Sequence, residues 1–392
     1  MKLLVIGAGM MGYSAAYDMA RSTRVERVTL ADQDAKRARQ AALRLNRMLG
    51  PGRVKPAALD AANSAAVAKQ MREHDGTLSA VPYFHNLALA KRAIAAGCHF
   101  ADLGGNNIVV RQELALDKQA ARRRVRLAPD CGVSPGLASI LGGELMRRIG
   151  GRADALKIYV GGLPQNPRPP FQYHLVFSVE GLINEYAEPA RVLRKGKLIT
   201  VEPLTEIEHF SILGLPDLEA FHTSGGTSTL PETYAGRVGE CFEKTLRYPG
   251  HAARIRTLYD FGLFSREKRK FGVAQLSPRE MMASLMLEKF AGQEPDLTVM
   301  RVEAHLGQRV LSFTLVDKFD PRTGLTSMMR TTAWPASIVL QMLVGGEVEP
   351  VGAVLQERDV PAMLVLRELA ARGIKITFEE QTLREKGQGT GF

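Results

Sequence analysis

The chain has 392 residues, of which 24% are charged, and a formal net charge of +11. That length is sufficient for two domains with separate hydrophobic cores. The basic residues are dispersed and no nucleic-acid-binding motif occurs, so we expect no nucleic-acid partner. No apolar run reaches the roughly 18 residues of a membrane helix, and the N-terminus lacks a signal-peptide pattern. We therefore expect a cytoplasmic protein without a membrane partner.

Residues 1–133 alternate short apolar runs with helical patterns. The predicted strands are KLLVIG, RVTLAD, RVKPAALD, GTLSAV, HFADLGG and RVRLAPD. A chain that alternates strands and helices in this way forms a parallel sheet with helices on both faces. The predicted fold class is therefore α/β, with a Rossmann dinucleotide-binding domain at the N-terminus.

The pattern changes after residue 133. Longer β-rich runs follow, namely ALKIYVGGLP, KLITVEP, ECFEKTLRY, LTVMRVEAHLG and QRVLSFTLVDKFD. The last two predict an antiparallel hairpin. We therefore predict a second, α+β substrate domain with a mostly antiparallel sheet over residues 134–331. The helical patterns within residues 332–392 are expected to pack on the first domain, and the tail REKGQGTGF is expected to be frayed.

A glycine-rich turn follows the first predicted strand. Its GxGxxG pattern consists of Gly7, Gly9 and Gly12, with Met10 and Met11 between the last two glycines. The first glycine permits a tight turn, the second lets the backbone approach a pyrophosphate, and the third lets the next helix pack on the strand. The N-terminus of that helix presents N–H groups to phosphates. Because strand, turn and helix occur in this order, the motif predicts dinucleotide binding.

The residue that ends the second predicted strand indicates which dinucleotide is bound. Asp32 stands twenty residues after Gly12, where a carboxylate accepts hydrogen bonds from the adenosine ribose and repels a 2′-phosphate. This favours NAD over NADP, although Lys36 and Arg37 lie one helical turn further on. Val81 and Pro82 follow the fourth strand and are expected beside the nicotinamide end of the cofactor.

Four longer runs in the chain are distinctive: DCGVSPGLASILGGEL, YVGGLPQNPRPPFQYHLVFSVEGLINEY, EAFHTSGGTSTLPE and KTLRYPGH. They resemble the saccharopine dehydrogenase superfamily and, within it, the lysine 6-dehydrogenases. The resemblance extends over nearly the whole chain. It implies an NAD-binding domain, a sheet-based substrate domain, and a homodimer or homotetramer.

The same resemblance implies a reaction. This is the NAD-dependent oxidative deamination of the ε-amino group of L-lysine to 2-aminoadipate 6-semialdehyde, which cyclises to piperideine-6-carboxylate, with release of ammonia and NADH. The alternative within the superfamily is a saccharopine dehydrogenase or a related opine-type enzyme that acts on a secondary amine. The alternative from another class is a regulatory protein that binds the cofactor without turnover.

Oxidation of a primary amine requires an acid/base group, because a free ε-ammonium has a pKa of about 10.4 and must lose its proton. Asp102 and Asp130 are candidates because each follows a parallel strand, at the edge where α/β proteins bind ligands. His222 is a candidate because it titrates near neutral pH and precedes the polar loop TSGGTST. Glu180 is the fourth acid/base candidate. Structural roles remain open for all four, as caps, hydrogen-bonded core groups or the first-turn acid of a helix.

The substrate carboxylate requires a basic partner. Arg247, in TLRYPGH, is the candidate clamp because a guanidinium matches a carboxylate in two places. Tyr173 and His174 follow a proline-rich loop, and Thr223 belongs to the polar loop; all three are candidate substrate-binding residues. Glu185 is expected to have a packing or surface role. The Cys, His and acidic residues show no metal-ligand spacing, so no metal is expected.

Overall fold

The structure is a computed structural model that describes residues 1–212, 214–292 and 294–383. The tail REKGQGTGF lies outside the described residues. The chain forms two compact units. The first comprises Met1–Ile140 and Phe319–Ile374, and the second comprises Leu141–Lys318 and the chain from Lys375 onward.

The first unit contains a parallel sheet, as the sequence predicts. Its strands are β1 (Lys2–Ile6), β2 (Arg27–Asp32), β3 (Val54–Ala58), β4 (Gly76–Ser79), β5 (His99–Asp102), β6 (Arg126–Ala128) and β17 (Gly352–Ala353). They lie in the order β17-β6-β5-β4-β1-β2-β3, and each neighbouring pair is parallel. This is the Rossmann arrangement, in which the polypeptide reverses direction across the sheet beside β1.

Helices connect the strands of the first unit. They are α1 (Met10–Arg21), α2 (Ala35–Leu49), α3 (Ser64–Arg72), α4 (Asn86–Ala96), α5 (Asn107–Leu114), α6 (Asp117–Arg122), α12 (Ser327–Gly345), α13 (Gln356–Asp359) and α14 (Ala362–Ala371). Side chains of Asp34, Asn63 and Asn106 accept backbone N–H groups at the N-termini of α2, α3 and α5. Gly97 ends α4 in the left-handed conformation.

The second unit contains a mixed, mostly antiparallel sheet. Its strands are β7 (Ala153–Pro164), β8 (Ala190–Arg194), β9 (Lys197–Val201), β10 (Glu208–Phe210), β11 (Leu218–His222), β12 (Val238–Arg247), β15 (Asp296–Leu306), β16 (Arg309–Lys318) and β18 (Ile376–Thr382). The main order is β10-β11-β12-β7-β15-β16-β18, in which β12 and β7 are parallel. The predicted hairpin is confirmed as β15–β16. A small separate hairpin joins β13 (Arg269–Phe271) to β14 (Ala274–Leu276).

The two faces of this second sheet have different coverings. The helices of the unit are α7 (Ala138–Arg148), which crosses the unit boundary, α8 (Val179–Ala187), α9 (Leu230–Tyr234), α10 (His251–Asp260) and α11 (Pro278–Lys289). Phe221 packs with residues of α8, α10 and α11, and we call its side of the sheet the helix-covered face. Tyr159, Phe242 and Leu246 pack on the other side, which we call the opposite face.

The unit boundaries differ from the predicted ones. The prediction divides the chain into 1–133 with 332–392 and 134–331, whereas the first unit extends to Ile140 and resumes at Phe319. The predicted C-terminal helices, α12 and α14, do belong to the first unit. The assignment of the chain from Lys375 onward to that unit is wrong, because β18 pairs with β16 in the second sheet. Side chains of β18 are mostly exposed, so backbone pairing at a sheet edge, rather than an apolar pattern, places this strand.

Candidate functional site

The glycine turn leaves space where a phosphate group would lie. Gly7 has φ +104°, and a Cβ there would lie 2.5 Å from the carbonyl oxygen of Ala80. A Cβ at Gly12 would lie 1.7 Å from the carbonyl oxygen of Gly7, so α1 packs directly on the turn. A Cβ at Gly9 would meet nothing within 4 Å. Gly7 and Gly12 are therefore required by the fold, whereas the space at Gly9 is open to a ligand.

The N-terminus of α1 faces the same space. The helix begins at Met10 and continues through Met11, and no side chain caps it at Gly9. Its first N–H groups and the positive end of its dipole suit a phosphate. Val81 lies beside the turn, since its Cγ1 would be 3.1 Å from a Cβ at Gly7. Pro82 follows it, just beyond the end of β4.

Asp32 is anchored to the turn by its own carboxylate. Its Oδ2 accepts the N–H of Ala8 at 2.8 Å, and its Oδ1 accepts the N–H of Asp34 at 2.9 Å. Each carboxylate oxygen can accept a second hydrogen bond, so the group still suits a ribose. Arg37 lies 3.9 Å from Oδ2 on an exposed side chain. Asp32 therefore both holds the glycine turn and presents a negative charge beside it.

The structure brings Asp102 and Asp130 together at the carboxyl ends of β5 and β6. Oδ1 of Asp102 accepts the N–H of Gly104 at 2.6 Å and the N–H of Asp130 at 3.3 Å. Both side chains are buried. Asp102 thus holds the backbone of Asp130 in place.

A third carboxyl group, that of Glu113 on α5, completes this cluster. It contacts Asp102 directly, and no other described residue donates a hydrogen bond to its two oxygens. Burial, and then the negative charge of Asp102, raise the pKa of Glu113 far above its usual value. The raised pKa favours the protonated form of Glu113, which relieves the repulsion between its carboxyl group and that of Asp102.

In the second unit, a chain of hydrogen bonds positions Arg247 at the end of β12. His251 has Nδ1 2.9 Å from the carbonyl oxygen of Phe171, so this nitrogen carries the proton and donates. Burial lowers the pKa of His251 to about 3, so the ring is neutral and its Nε2 accepts the hydroxyl of Tyr186 at 2.9 Å. The Tyr186 oxygen in turn accepts Nε of Arg247 at 3.3 Å.

Arg247 lacks a short ionic partner despite its burial. Its side chain is 3% exposed, and its Nη2 lies 3.7 Å from the carboxylate of Glu185, beyond hydrogen-bond length. Nη1 donates to the carbonyl oxygen of Leu246 at 2.9 Å. The guanidinium lies over the ring of Tyr173, with Cζ 4.7 Å from the ring centroid. Such a group can accept a ligand carboxylate.

Thr223 lies on the same face as Arg247 and contacts a second glutamate, Glu243. Its Oγ1 lies 2.7 Å from Oγ1 of Thr245 and donates to Glu243 Oε2 at 3.2 Å. Burial, and then the charge of Glu185, raise the pKa of Glu243 to about 8. Burial raises the pKa of Glu185 to about 7. The structure thus gathers Tyr173, Thr223, Arg247 and two unusual carboxyl groups on the helix-covered face.

His222 does not belong to this group. It pairs in register with Lys244, whereas Phe221 pairs with Thr245. Because successive side chains of a strand point to opposite faces, His222 and Lys244 lie on the opposite face from Thr245 and Arg247. The His222 ring is fully buried, with Nε2 3.2 Å from Glu206, and burial lowers its pKa. His222 therefore does not share a face with Arg247, and its role as a general acid or base stays a prediction.

The candidates Glu180 and His174 also have surroundings that differ from those of Arg247. Glu180 is 61% exposed and its carboxylate pairs with Arg279 at 2.9 Å, as a first-turn acid with a basic neighbour would. His174 lies beside Gly292, within the influence of the carboxylates of Asp296 and Glu294. The sequence neighbours Tyr173 and His174 thus have different surroundings. The contacts described for Glu180 and His174 do not include Arg247, and the roles of both residues stay predictions.

Across residues 1–212, 214–292 and 294–383, no three Cys, His or acidic side chains are grouped as metal ligands would be. Within those same ranges, every helix is too short or too polar to cross a bilayer.

Comparison with known protein families gives matches to two parts of the chain. Residues 3–127 match the family model described as the saccharopine dehydrogenase NADP binding domain. Residues 132–374, more than half of the chain, match the model described as the saccharopine dehydrogenase C-terminal domain. The chain belongs to the saccharopine dehydrogenase family. The N-terminal part of its first unit, which contains the glycine turn, is thus the pyridine-nucleotide-binding domain of this family.

Individual relatives are distant. The saccharopine dehydrogenase [NADP(+), L-glutamate-forming] of Schizosaccharomyces pombe is 25% identical over 253 residues, which cover 62% of this chain and 56% of that protein. The mouse mitochondrial alpha-aminoadipic semialdehyde synthase is 20% identical and covers 90% of this chain and 45% of its own length. The chain therefore spans about half the length of these curated relatives.

A solved member of the family shows the same fold. Apo saccharopine dehydrogenase (L-Glu forming) from Saccharomyces cerevisiae superposes with a TM-score of 0.78 at 16% identity, covering 97% of this chain and all of that chain. At this identity the likeness establishes the α/β fold with a mostly antiparallel second sheet, and no more.

The site predicted from the sequence omits three glutamates of this chain that lie in the clusters described above: Glu113, Glu185 and Glu243. Glu185 is expected to have a packing or surface role, whereas its carboxylate lies 3.7 Å from Arg247. A faint signal for Glu243 was present, because it alternates with Thr245 and Arg247 along one strand and so shares their face. Nothing local distinguishes Glu113, since its partner Asp102 belongs to a different element.

Proposed function

We propose that the protein oxidises the ε-amino group of L-lysine with NAD. The products would be 2-aminoadipate 6-semialdehyde, which cyclises to piperideine-6-carboxylate, ammonia and NADH. Family membership and the nucleotide-binding turn support an amino-acid dehydrogenase. The choice of a free amino acid depends on one observation, the state of Arg247.

Arg247 differs from the other buried basic side chains in the described part of the second unit. Arg279 has a carboxylate oxygen at 2.9 Å and Lys244 has one at 3.2 Å, whereas the nearest carboxylate to Arg247 is at 3.7 Å. One buried cation without a short partner suits a substrate with one carboxylate. Saccharopine carries further carboxylates and would require further clamps of this kind.

The residues present fit NAD. Gly9 leaves open space beside the N-terminus of α1, and Asp32 places a carboxylate at the end of β2. A carboxylate in this position opposes a 2′-phosphate, which supports NAD, while the exposed Arg37 would favour NADP. When bound, NAD would supply the acceptor for the hydride that leaves carbon 6 of lysine.

Side chains of the protein must carry out the proton transfers of the reaction. The ε-amine has to be neutral when its neighbouring C–H bond breaks, and water must then replace ammonia at carbon 6. We assign the proton transfers to Asp102 and Asp130, which lie at the carboxyl edge of the parallel sheet. Glu113 contacts Asp102, and Asp102 accepts the backbone N–H groups of Gly104 and Asp130 and so holds the backbone of Asp130.

The second candidate is a saccharopine dehydrogenase or a related opine-type enzyme. The names of the relatives favour it, and the primary amine would then be replaced by a secondary amine. Under this candidate, the lysine moiety would still present its own carboxylate and α-ammonium group to the Arg247 region.

The two candidates differ in a direct assay. The purified protein would be supplied with NAD and either L-lysine or L-saccharopine at alkaline pH, and NADH would be followed by absorbance. We expect turnover on lysine with one ammonia released for each NADH. Turnover on saccharopine alone, without ammonia, would establish the second candidate and refute the first.

A further inference from the structure

The loop TSGGTST is built around the carboxyl group of Glu243. The hydroxyl oxygens of Thr223 and Thr245 lie 3.2 and 3.4 Å from its two oxygens and 2.7 Å from each other. A Cβ at Gly226 would lie 2.5 Å from the Glu243 carboxyl carbon, so only glycine permits this approach. The loop is also tied to α8, because the N–H of Ser224 donates to the backbone oxygen of Glu185 at 3.0 Å. Two glutamates are thus held side by side.

Among the described residues, Arg247 is the cation that acts on both of these carboxyl groups, and no short ionic hydrogen bond joins it to Glu185. The side chain of Glu243 is buried and is bonded only to neutral hydroxyls in the contacts described above. Arg247 lies 3.7 Å from Glu185, too far for a hydrogen bond. Two neighbouring carboxylates in a buried site repel each other unless a proton or another cation joins them. An ammonium group would relieve that repulsion.

A separate observation also indicates a missing ligand. Tyr173 is buried, and its O–H has no acceptor among the described residues. The hydroxyl lies within the electrostatic influence of Arg247, Tyr186 and Glu185, so it belongs to the same cluster. A buried hydroxyl without an acceptor is costly, and a carboxylate held by Arg247 would satisfy it.

We propose that Glu185 and Glu243 bind the α-ammonium group of the substrate, while Arg247 and Tyr173 hold the carboxylate on the same carbon. The proposal rests on the proposed function in taking an α-amino acid as the ligand. It gives the TSGGTST loop the task of positioning Glu243. The site therefore recognises a complete zwitterionic head group, and it distinguishes α-amino acids from simple ω-amino acids.

The test compares two substrates in two variants. 6-Aminohexanoate has the carboxylate and the terminal amine of lysine but no α-ammonium group. In Glu243→Gln, kcat/KM for L-lysine should fall by about 10- to 100-fold, chiefly through KM, while kcat/KM for 6-aminohexanoate should be nearly unchanged. The matched control is Glu208→Gln, the same substitution on the opposite face, where Glu208 pairs with Lys244. It should leave the ratio of the two substrates unaltered.

An equal loss on both substrates in Glu243→Gln would overturn the proposal, since a merely structural role would reduce both. Glutamine retains an acceptor for one threonine and a donor for the other, and NADH binding would verify folding. If that variant does not fold, Glu185→Gln provides the same comparison from a half-buried position.

A binding experiment separates this proposal from the proposed function. Calorimetric titration with L-lysine, L-saccharopine and 6-aminohexanoate needs no turnover. Tight binding of lysine or saccharopine that is weakened in Glu243→Gln would support the ammonium site, even if saccharopine proved to be the substrate. Binding of 6-aminohexanoate as tight as that of lysine would refute the ammonium site, even if lysine were oxidised.

Discussion

On the opposite face of the second sheet the buried charges have short partners, whereas on the helix-covered face they do not. Lys244 has a carboxylate at 3.2 Å and a backbone oxygen at 2.7 Å, and His222 has Glu206 at 3.2 Å. Arg247 has its nearest carboxylate at 3.7 Å, and Glu243 is bonded to hydroxyls. Both faces are polar, but among the described residues the ionic contact of Arg247 is longer than those of Lys244 and His222. Unsatisfied charge in a buried place indicates a ligand more strongly than the presence of a histidine does.

Removal of the guanidinium should have the largest effect. In Arg247→Met, kcat/KM for lysine is expected to fall by roughly 30-fold or more, because loss of one partner of a buried charged contact costs about 2–5 kcal/mol. Steady-state assays measure this loss, and NADH titration provides the folding control. Activity close to that of the wild type would show that the helix-covered face does not bind substrate.

The second-largest effect is expected in the pH dependence of lysine binding at the helix-covered face. The pKa values of Glu185 and Glu243 are raised to about 7 and about 8, so their negative charges are present above these values and lost below them. The Kd for L-lysine should therefore rise by about tenfold as the pH falls from about 8 to 7, and more steeply below about pH 7, where both carboxylates become protonated. In Glu243→Gln the dependence should be shallower. A Kd that is independent of pH in the wild type would remove the carboxyl pair from the binding site.

Cofactor preference should show an intermediate effect in the first unit. In Asp32→Asn, the ratio of kcat/KM with NAD to that with NADP should fall about tenfold, because the repulsive charge is lost while one acceptor oxygen remains. Arg37→Ala serves as the control and should raise the ratio. An unchanged ratio in Asp32→Asn would mean that Asp32 serves only to hold the turn.

The smallest effect on activity is expected on the opposite face. His222→Gln should keep kcat/KM within about threefold of the wild type. It should lower the free energy of unfolding by about 1 kcal/mol, the value of one buried hydrogen bond, as measured by urea titration. A loss of activity as large as that of Arg247→Met would contradict the separation of the two faces.

Sequence patterns predicted the first unit well because its signals are local. The glycine turn, Asp32 and the strands of the parallel sheet all depend on neighbours in the chain. Arg247, Tyr173 and Thr223 also came together as expected. The run FHTSGGTST predicts that His222 and Thr223 belong to one site. In the structure β11 ends at His222, and the side chains of His222 and Thr223 lie on opposite faces.

The missed residues depend on distant partners. Glu243 acquires its raised pKa from burial and from Glu185, which lies on α8 far away in the chain. Glu113, on α5, does so beside Asp102 at the end of β5. Likewise β18 has little apolar pattern, and its position depends on a free strand edge in the second sheet. Periodicity in a single segment does not contain this information.

The central claim is that hydride leaves carbon 6 of a free lysine. It is tested most directly with L-lysine carrying deuterium on carbon 6, followed by mass spectrometry of the reduced cofactor. The account predicts that each NADH formed carries one deuterium, with ammonia released in equal amount. Reduced cofactor without deuterium would show that a different carbon is oxidised and would contradict the proposed reaction.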